Sequence, residues 1–316
     1  MTRRLLADLG GTNARFALSE NGGPPQEERK LAVTDYPGVV AAARAYLGGR
    51  HAEEAVFAVA TPVRGDAVTF TNNNWHFSVR DAERELGLAR LTVINDFVAQ
   101  AASISLMTAE DLRVLKPGQP RKGAPRVVLG PGTGLGVAFV LHEGGAPHIL
   151  PSEGGHASFA PQDALQAEIL QRMRPLYGGH VSTERLLSGP GLLQIARSLG
   201  EIRGALAPLE NPADVSRLAA SGGCPTCAEA VRMFSSILGA TAGNLALTLL
   251  AEGGVYIAGG LSRNLGPLLD REALLTAFHA KGRFAGLLEA IPVVQVLRPH
   301  TGLLGAAAYR PRLMAG

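Results

Sequence analysis

Asn95 and Asp96 stand where an apolar run (Leu91, Val93, Ile94) gives way to a helical pattern opening Phe97-Val98-Ala99-Gln100. A strand that feeds a helix delivers its last polar residues to the strand's carboxyl end, where α/β proteins hold their ligands. A carboxylate at that point can take a proton from a bound hydroxyl, or it can do no more than cap the helix. A second constellation is Ser152-Glu153-Gly154-Gly155-His156. Glu153 and His156 read as hydrogen-bonding groups for a hydroxyl-rich ligand, or as metal ligands that only Cys224 and Cys227 are available to complete. Ser182-Thr183-Glu184 reads as the opening of a helix, with Glu184 favoured at its positive end.

Glycine turns supply the third kind of chemistry. Leu5–Leu9 is a buried strand, Gly10-Gly11-Thr12-Asn13 a turn, and Ala14–Ser19 a second strand. Neither G-x-x-x-x-G-K-[ST] nor G-x-G-x-x-G opening a helix is present, so this is not a P-loop or a Rossmann turn. The turn joins two strands, and such a tip can present backbone amides to a phosphate. Asp8, just before it, can hold the Mg²⁺ of a nucleotide, usually through water; an ordinary glycine hairpin is the plainer reading. The unit recurs: strand Arg126–Gly130, turn Pro131-Gly132-Thr133-Gly134-Leu135-Gly136, strand Val137–Leu141. Two copies of one hairpin predict two similar domains gripping a nucleotide's phosphates between them. Gly259-Gly260, after the apolar strand Val255–Ala258, suits a flat group such as adenine or plain turn duty.

The elements needed to position these groups follow from patterning. A length of 316 residues with 46% hydrophobic and 18% charged is ordinary for one large or two medium globular domains. The formal charge of +3 comes from scattered basic residues, which gives no reason to expect nucleic acid. Cys224 and Cys227 form one C-x-x-C without a βαβ setting, so they read as reduced structural thiols, consistent with cytoplasm. The apolar stretch after Arg3-Arg4 is too short for a signal-peptide core. The 19 residues 233–251 carry no charge, but their Ser, Thr, Gly and Asn content favours a buried helix over a membrane span. Helices are predicted over 36–47, from Ser78, over 163–176, 192–199 (after a break at Gly189-Pro190-Gly191), 212–220, 228–250, 268–278 and 302–309. Further strands are predicted over 31–34, 55–60, 67–71, 91–94 and 292–297.

Taken together, ADLGGTNARFAL, FTNNNW, VINDF, GPGTGLG, SEGGH, STERLLSGPGL, YIAGGL, KGRF and GLLGAAAY cover nearly the whole chain, which through them resembles the bacterial glucokinases of the actin-like ATPase and sugar kinase superfamily. The resemblance implies an α/β fold of two actin-like ATPase (ribonuclease H-like) domains with a central ligand cleft: a small domain of residues 1–106 plus 298–316 and a large one of 107–297. It implies Asp8, Gly10, Gly11, Thr12 and Asn13 as the first phosphate hairpin, with Asp8 toward Mg²⁺, and Gly132, Thr133 and Gly134 as the second. Gly259 and Gly260 correspond to the adenosine motif. Asn95, Asp96, Glu153, His156 and Glu184 correspond to the sugar-binding set, with Asp96 as the base.

The implied reaction transfers the γ-phosphate of ATP to the 6-hydroxyl of glucose, in a cytoplasmic, Mg²⁺-dependent homodimer with no membrane or nucleic-acid partner. In a loose transition state the proton leaves late, so a carboxylate of ordinary pKa is expected to suffice at position 96. A kinase for another hexose or an amino sugar, and a non-catalytic sugar sensor, are the alternatives. A related group of sugar kinases and repressors carries the same Glu-x-Gly-His with a Cys-rich zinc loop. The absence of that loop, and of an N-terminal DNA-binding helix pair, points to the glucokinase branch.

Overall fold

The computed structural model describes residues 2–61, 63, 65–70, 73–143, 146–205 and 208–311. Thr71 and Asn72 of the FTNNNW stretch lie outside the described residues. The chain divides into two compact units, one of Met1–Thr108, Glu143–Leu150 and Arg298–Gly316, the other of Ala109–His142 and Pro151–Leu297. Each has its own hydrophobic core.

The first unit is built from β1 (Arg3–Leu9), β2 (Asn13–Glu20), β3 (Gln26–Ala32), α1 (Val39–Leu47), β4 (Glu54–Val59), β5 (Ala67–Thr69), β6 (His76–Ser78), α2 (Val79–Leu86), β7 (Arg90–Asn95) and α3 (Asp96–Ser103). Its five-stranded sheet runs β3-β2-β1-β4-β7. The first three strands are antiparallel neighbours, while β1, β4 and β7 are parallel. Leu5, Leu6 and Ala7 of β1 are fully buried, as a continuous apolar run requires of a strand covered on both faces. Parallel β1 and β7 therefore end on the same side, and this brings Asp8 and Asn95 to one edge of the sheet.

Local chemistry explains where these elements depart from the sequence reading. Helix α1 starts at Val39 rather than at residue 36, because Pro37 keeps Tyr36 extended (φ −134°, ψ 141°). The third strand is Gln26–Ala32, followed by a 3-10 turn Val33–Asp35. Its first five residues are exposed and mostly charged, an edge strand with no apolar alternation to read. Ser78 caps α2 by accepting the Asp81 N–H at 3.1 Å, as its spacing predicts.

The remaining elements are β8 (Leu112–Lys116), β9 (Arg126–Pro131), β10 (Leu135–Glu143), β11 (Ala146–Ser152), α4 (Ala164–Met173), α5 (Gly189–Arg203), α6 (Pro212–Ala220), α7 (Pro225–Leu249), β12 (Val255–Ile257), α8 (Gly260–Leu265), α9 (Arg271–His279), α10 (Ala285–Ala290) and β13 (Val293–Val296), all of the second unit except β11 up to Leu150 and the last residue of β10, which group with the first. α11 (Gly302–Ala308) then returns to the first unit. The six-stranded sheet runs β11-β10-β9-β12-β13-β8. Gly189-Pro190-Gly191 does not break the chain but forms the first turn of α5. Ser188 accepts the Gly191 N–H at 3.1 Å, and Pro190 sits where its missing N–H has no helical partner to lose.

Helix α7 is longer than its apolar pattern because Cys224 caps it, its Sγ accepting the Cys227 N–H at 3.2 Å. Both thiols are free and buried. Burial, with Cys224 alongside, pushes the Cys227 thiol up to about 12, so it stays protonated and inert at neutral pH. Among the described residues no helix is long and apolar enough to cross a membrane.

Candidate active site

Asn95 ends β7 in extended backbone, and its Oδ1 accepts the Phe97 N–H at 2.9 Å. Asn95 is therefore the N-cap of α3, and Asp96 is released from that duty. The capping reading attached to the wrong neighbour. Asp96 occupies the first helical position with an exposed side chain. Protein packed around its other sides removes enough solvent to push its carboxyl up to about 6, against the hydrogen bond from the Phe97 N–H. The nearby Asp8 carboxylate pushes in the same upward direction. An ordinary carboxylate would suffice at this position, but Asp96 is shifted within reach of neutral pH, where a general base works best.

Asp8 lies next to the tip of the β1–β2 hairpin, half-buried, and faces Arg15 across the strands at 3.9 Å. Burial raises its pKa, opposed by Arg15 and His300. A carboxylate so held gains from a cation nearby. Mg²⁺ takes one or two protein carboxylates together with phosphate oxygens and water, and Asp8 fits that donor chemistry. The hairpin tip closes with the Gly10 N–H donating to the Asn13 carbonyl at 3.0 Å, and the Asn73 amide donates to the Gly10 carbonyl at 3.2 Å. The Gly302 backbone packs on Asp8 so closely that a Cβ there would lie 2.5 Å from the carboxyl carbon.

In the second unit the turn Gly132-Thr133-Gly134 joins β9 to β10, matching the first hairpin in plan. Glu184 does not open an α-helix; it lies in a 3-10 turn, Thr183–Arg185, and reaches that hairpin. Its Oε2 accepts the Leu135 N–H at 2.8 Å. Position 134 admits this carboxylate only as glycine, since a Cβ there would fall 2.4 Å from the same oxygen. Glu153, His156 and Glu184 converge: His156 Nε2 is 3.7 Å from Glu153 Oε2, and its Nδ1 is 3.9 Å from Glu184 Oε1. Glu153 and His156 are exposed, free to meet a ligand's hydroxyls. Among the described residues no group of three His, Cys, Asp or Glu side chains is placed to hold a metal ion, which removes the reading with Cys224 and Cys227.

A glucokinase family model matches residues 5–312. The chain is 42% identical to a glucokinase of Aromatoleum aromaticum, over 99% of this chain and 96% of that one. The chain belongs to the glucokinase family. The fold agrees. A glucokinase crystal structure from an Antarctic psychrotroph superposes with a TM-score of 0.90 at 33% identity, covering 98% of each chain. A ROK family glucokinase from Streptomyces griseus, in complex with glucose and AMPPNP, shares the fold (TM-score 0.61, 20% identity, 96% and 98% covered). These relatives make the glucokinase-family chain an actin-like ATPase fold of α/β class.

Within this glucokinase-family chain the glycine pair after β12 divides by role. Gly259 has φ +84°, and a Cβ would lie 2.4 Å from the Pro131 carbonyl oxygen, so packing against β9 alone requires glycine. Gly260 opens α8, and a Cβ there would meet only the tip of the Arg263 side chain, at 3.9 Å, so the position is uncrowded enough for a flat group to approach. Three contributors escaped the sequence reading. Asn73 stands within FTNNNW with no role assigned to it from sequence, and Arg15 and His300 act on Asp8 solely through tertiary placement. Nothing in the local sequence around His300 signals its contribution.

Proposed function

We propose that this chain is an ATP-dependent glucokinase, transferring the γ-phosphate of ATP to the 6-hydroxyl of glucose to give glucose 6-phosphate and ADP. The observation that carries the reading is the state of Asp96. Its capping task is taken by Asn95, its side chain reaches solvent, and its carboxyl is poised near 6. Such a group accepts the proton of the attacking hydroxyl, a contribution of about 10²–10⁴-fold. Glu153, His156 and Glu184 hold sugar hydroxyls, since each hydroxyl both donates and accepts. The spare N–H of Asn95 completes that set.

The first hairpin, Gly10, Gly11, Thr12 and Asn13, and the second, Gly132, Thr133 and Gly134, bind the nucleotide's phosphates through the amides not spent on closing the turns, as those of Gly10 and Gly132 are. Gly259 and Gly260 lie by the adenosine. Asp8 holds the nucleotide's Mg²⁺ through water. When bound, that ion neutralises charge developing on the phosphates. Family membership supports work in the cytoplasm and as a homodimer. The test is ADP release in a coupled assay with ATP and a panel of hexoses and amino sugars. Glucose as the preferred acceptor, and loss of turnover in Asp96→Ala, are expected; turnover of that variant near the wild-type rate removes Asp96 as the base.

A further inference from the structure

Three parallel strands of the first unit begin in register with Arg4 on β1, Glu54 on β4 and Arg90 on β7. Glu54 bridges its neighbours. Its Oε2 accepts from Arg4 Nη2 at 2.9 Å and its Oε1 from Arg90 Nη2 at 2.9 Å. One carboxylate is thus shared by two guanidiniums. A third, Arg310, follows α11. Its Nη1 donates to the carbonyls of Ala307 and Tyr309 at 2.8 and 3.0 Å, and among the described residues it makes no ion pair with a carboxylate. These four side chains and the Asn21-Gly22 turn line a cavity of about 400 Å³. The Arg4 side chain is only 11% exposed, and its buried Nε has no hydrogen-bond partner.

Three guanidiniums against one carboxylate leave two positive charges on the cavity wall. Guanidinium forks match phosphate oxygens in geometry as well as charge. A phosphomonoester carries about −1.5 to −2 at neutral pH, which balances this wall, whereas a single carboxylate does not. The volume falls in the range of about 300–1,000 Å³ typical of small-molecule sites, so it holds a phosphate with an organic group attached. We propose that this cavity binds a small phosphomonoester. It lies at the amino ends of the strands whose carboxyl ends carry Asp8 and Asn95, about 13 Å away along β1 at roughly 3.3 Å per residue. It is therefore separate from the glycine hairpins.

Equilibrium dialysis tests this with labelled inorganic phosphate and with glycerol 3-phosphate, keeping AMPPNP at saturation so that nucleotide sites are filled. Wild-type protein is expected to bind one equivalent of glycerol 3-phosphate. Arg310→Gln and Arg90→Gln should each weaken binding about tenfold or more, as loss of a charge-assisted contact implies. Turnover at saturating glucose and ATP should be unchanged. Tighter binding of inorganic phosphate than of the ester would overturn the organic-ligand assignment in favour of a simple anion site. Arg84→Gln, which removes the same charge from α2, should leave binding intact. Equal weakening by that control, or no saturable binding by wild-type protein, would overturn the proposal. Circular dichroism of each variant confirms folding, and because Arg310 is exposed its replacement leaves the core untouched.

Discussion

At the scale of single residues, the decisive feature is a division of labour between adjacent polar side chains. Asn95 caps α3, so the Asp96 carboxyl, though it also draws on the Phe97 N–H, is not the group that ends the helix and can still meet a ligand on its exposed side. Because its carboxyl sits near 6, the folded protein holds that proton more tightly than an unfolded chain does. Protonation at Asp96 therefore favours the fold below the ordinary aspartate range. That contribution is lost as the pH rises through about 6, and at neutral pH the partly desolvated charge is a cost. Asp96→Asn is accordingly expected to raise the urea midpoint at pH 7 while abolishing turnover. The same titration predicts that wild-type kcat/KM falls below an apparent pKa of about 6. A rate profile flat from pH 5 to 7, roughly the span over which such a base changes state, would exclude it. Glu153→Gln keeps size but loses charge, and it should chiefly raise the KM for glucose; an unchanged KM would remove Glu153 from contact with the sugar. Asp8→Asn should shift the magnesium requirement upward in a titration at fixed ATP.

At the scale of elements, two close approaches hold the site in place. α11 meets α3 through Gly305, where a Cβ would lie 1.7 Å from the Ala99 carbonyl oxygen. No side chain can be accommodated there without moving backbone, and α3 carries Asp96 at its first position. Gly305→Ala is expected to destabilise the protein by about 1–3 kcal/mol, read from the denaturant midpoint. A neutral result would show that the two helices separate freely. In the second unit Glu184 braces the β9–β10 turn, so Gly134→Ala should displace its carboxylate from the Leu135 N–H and raise the KM for glucose. These elements were largely legible because their apolar runs and caps are local signals. Strand β3 was misplaced because its exposed charged residues have no such signal, and α5 was shortened because proline and glycine can open a helix as readily as end one.

At the scale of the whole molecule, two separate cores make two cooperative units available. Unliganded protein is expected to show a calorimetric unfolding enthalpy larger than the van't Hoff value. Equality of the two would mean that both cores melt as one. Adding glucose at about 100 times its Kd should stabilise the protein by about 2.7 kcal/mol.

The sequence by itself determined the α/β class, the two glycine hairpins and the family, because strand runs, turn glycines and helix caps act over a few residues. Only the tertiary structure decided which of Asn95 and Asp96 caps the helix, how far burial raises Asp96, and that Glu184 braces a turn 49 residues away. It also decided that Arg4, Glu54, Arg90 and Arg310 share one cavity. Those outcomes depend on desolvation and on contacts between segments far apart in the chain, and neither is encoded in local spacing.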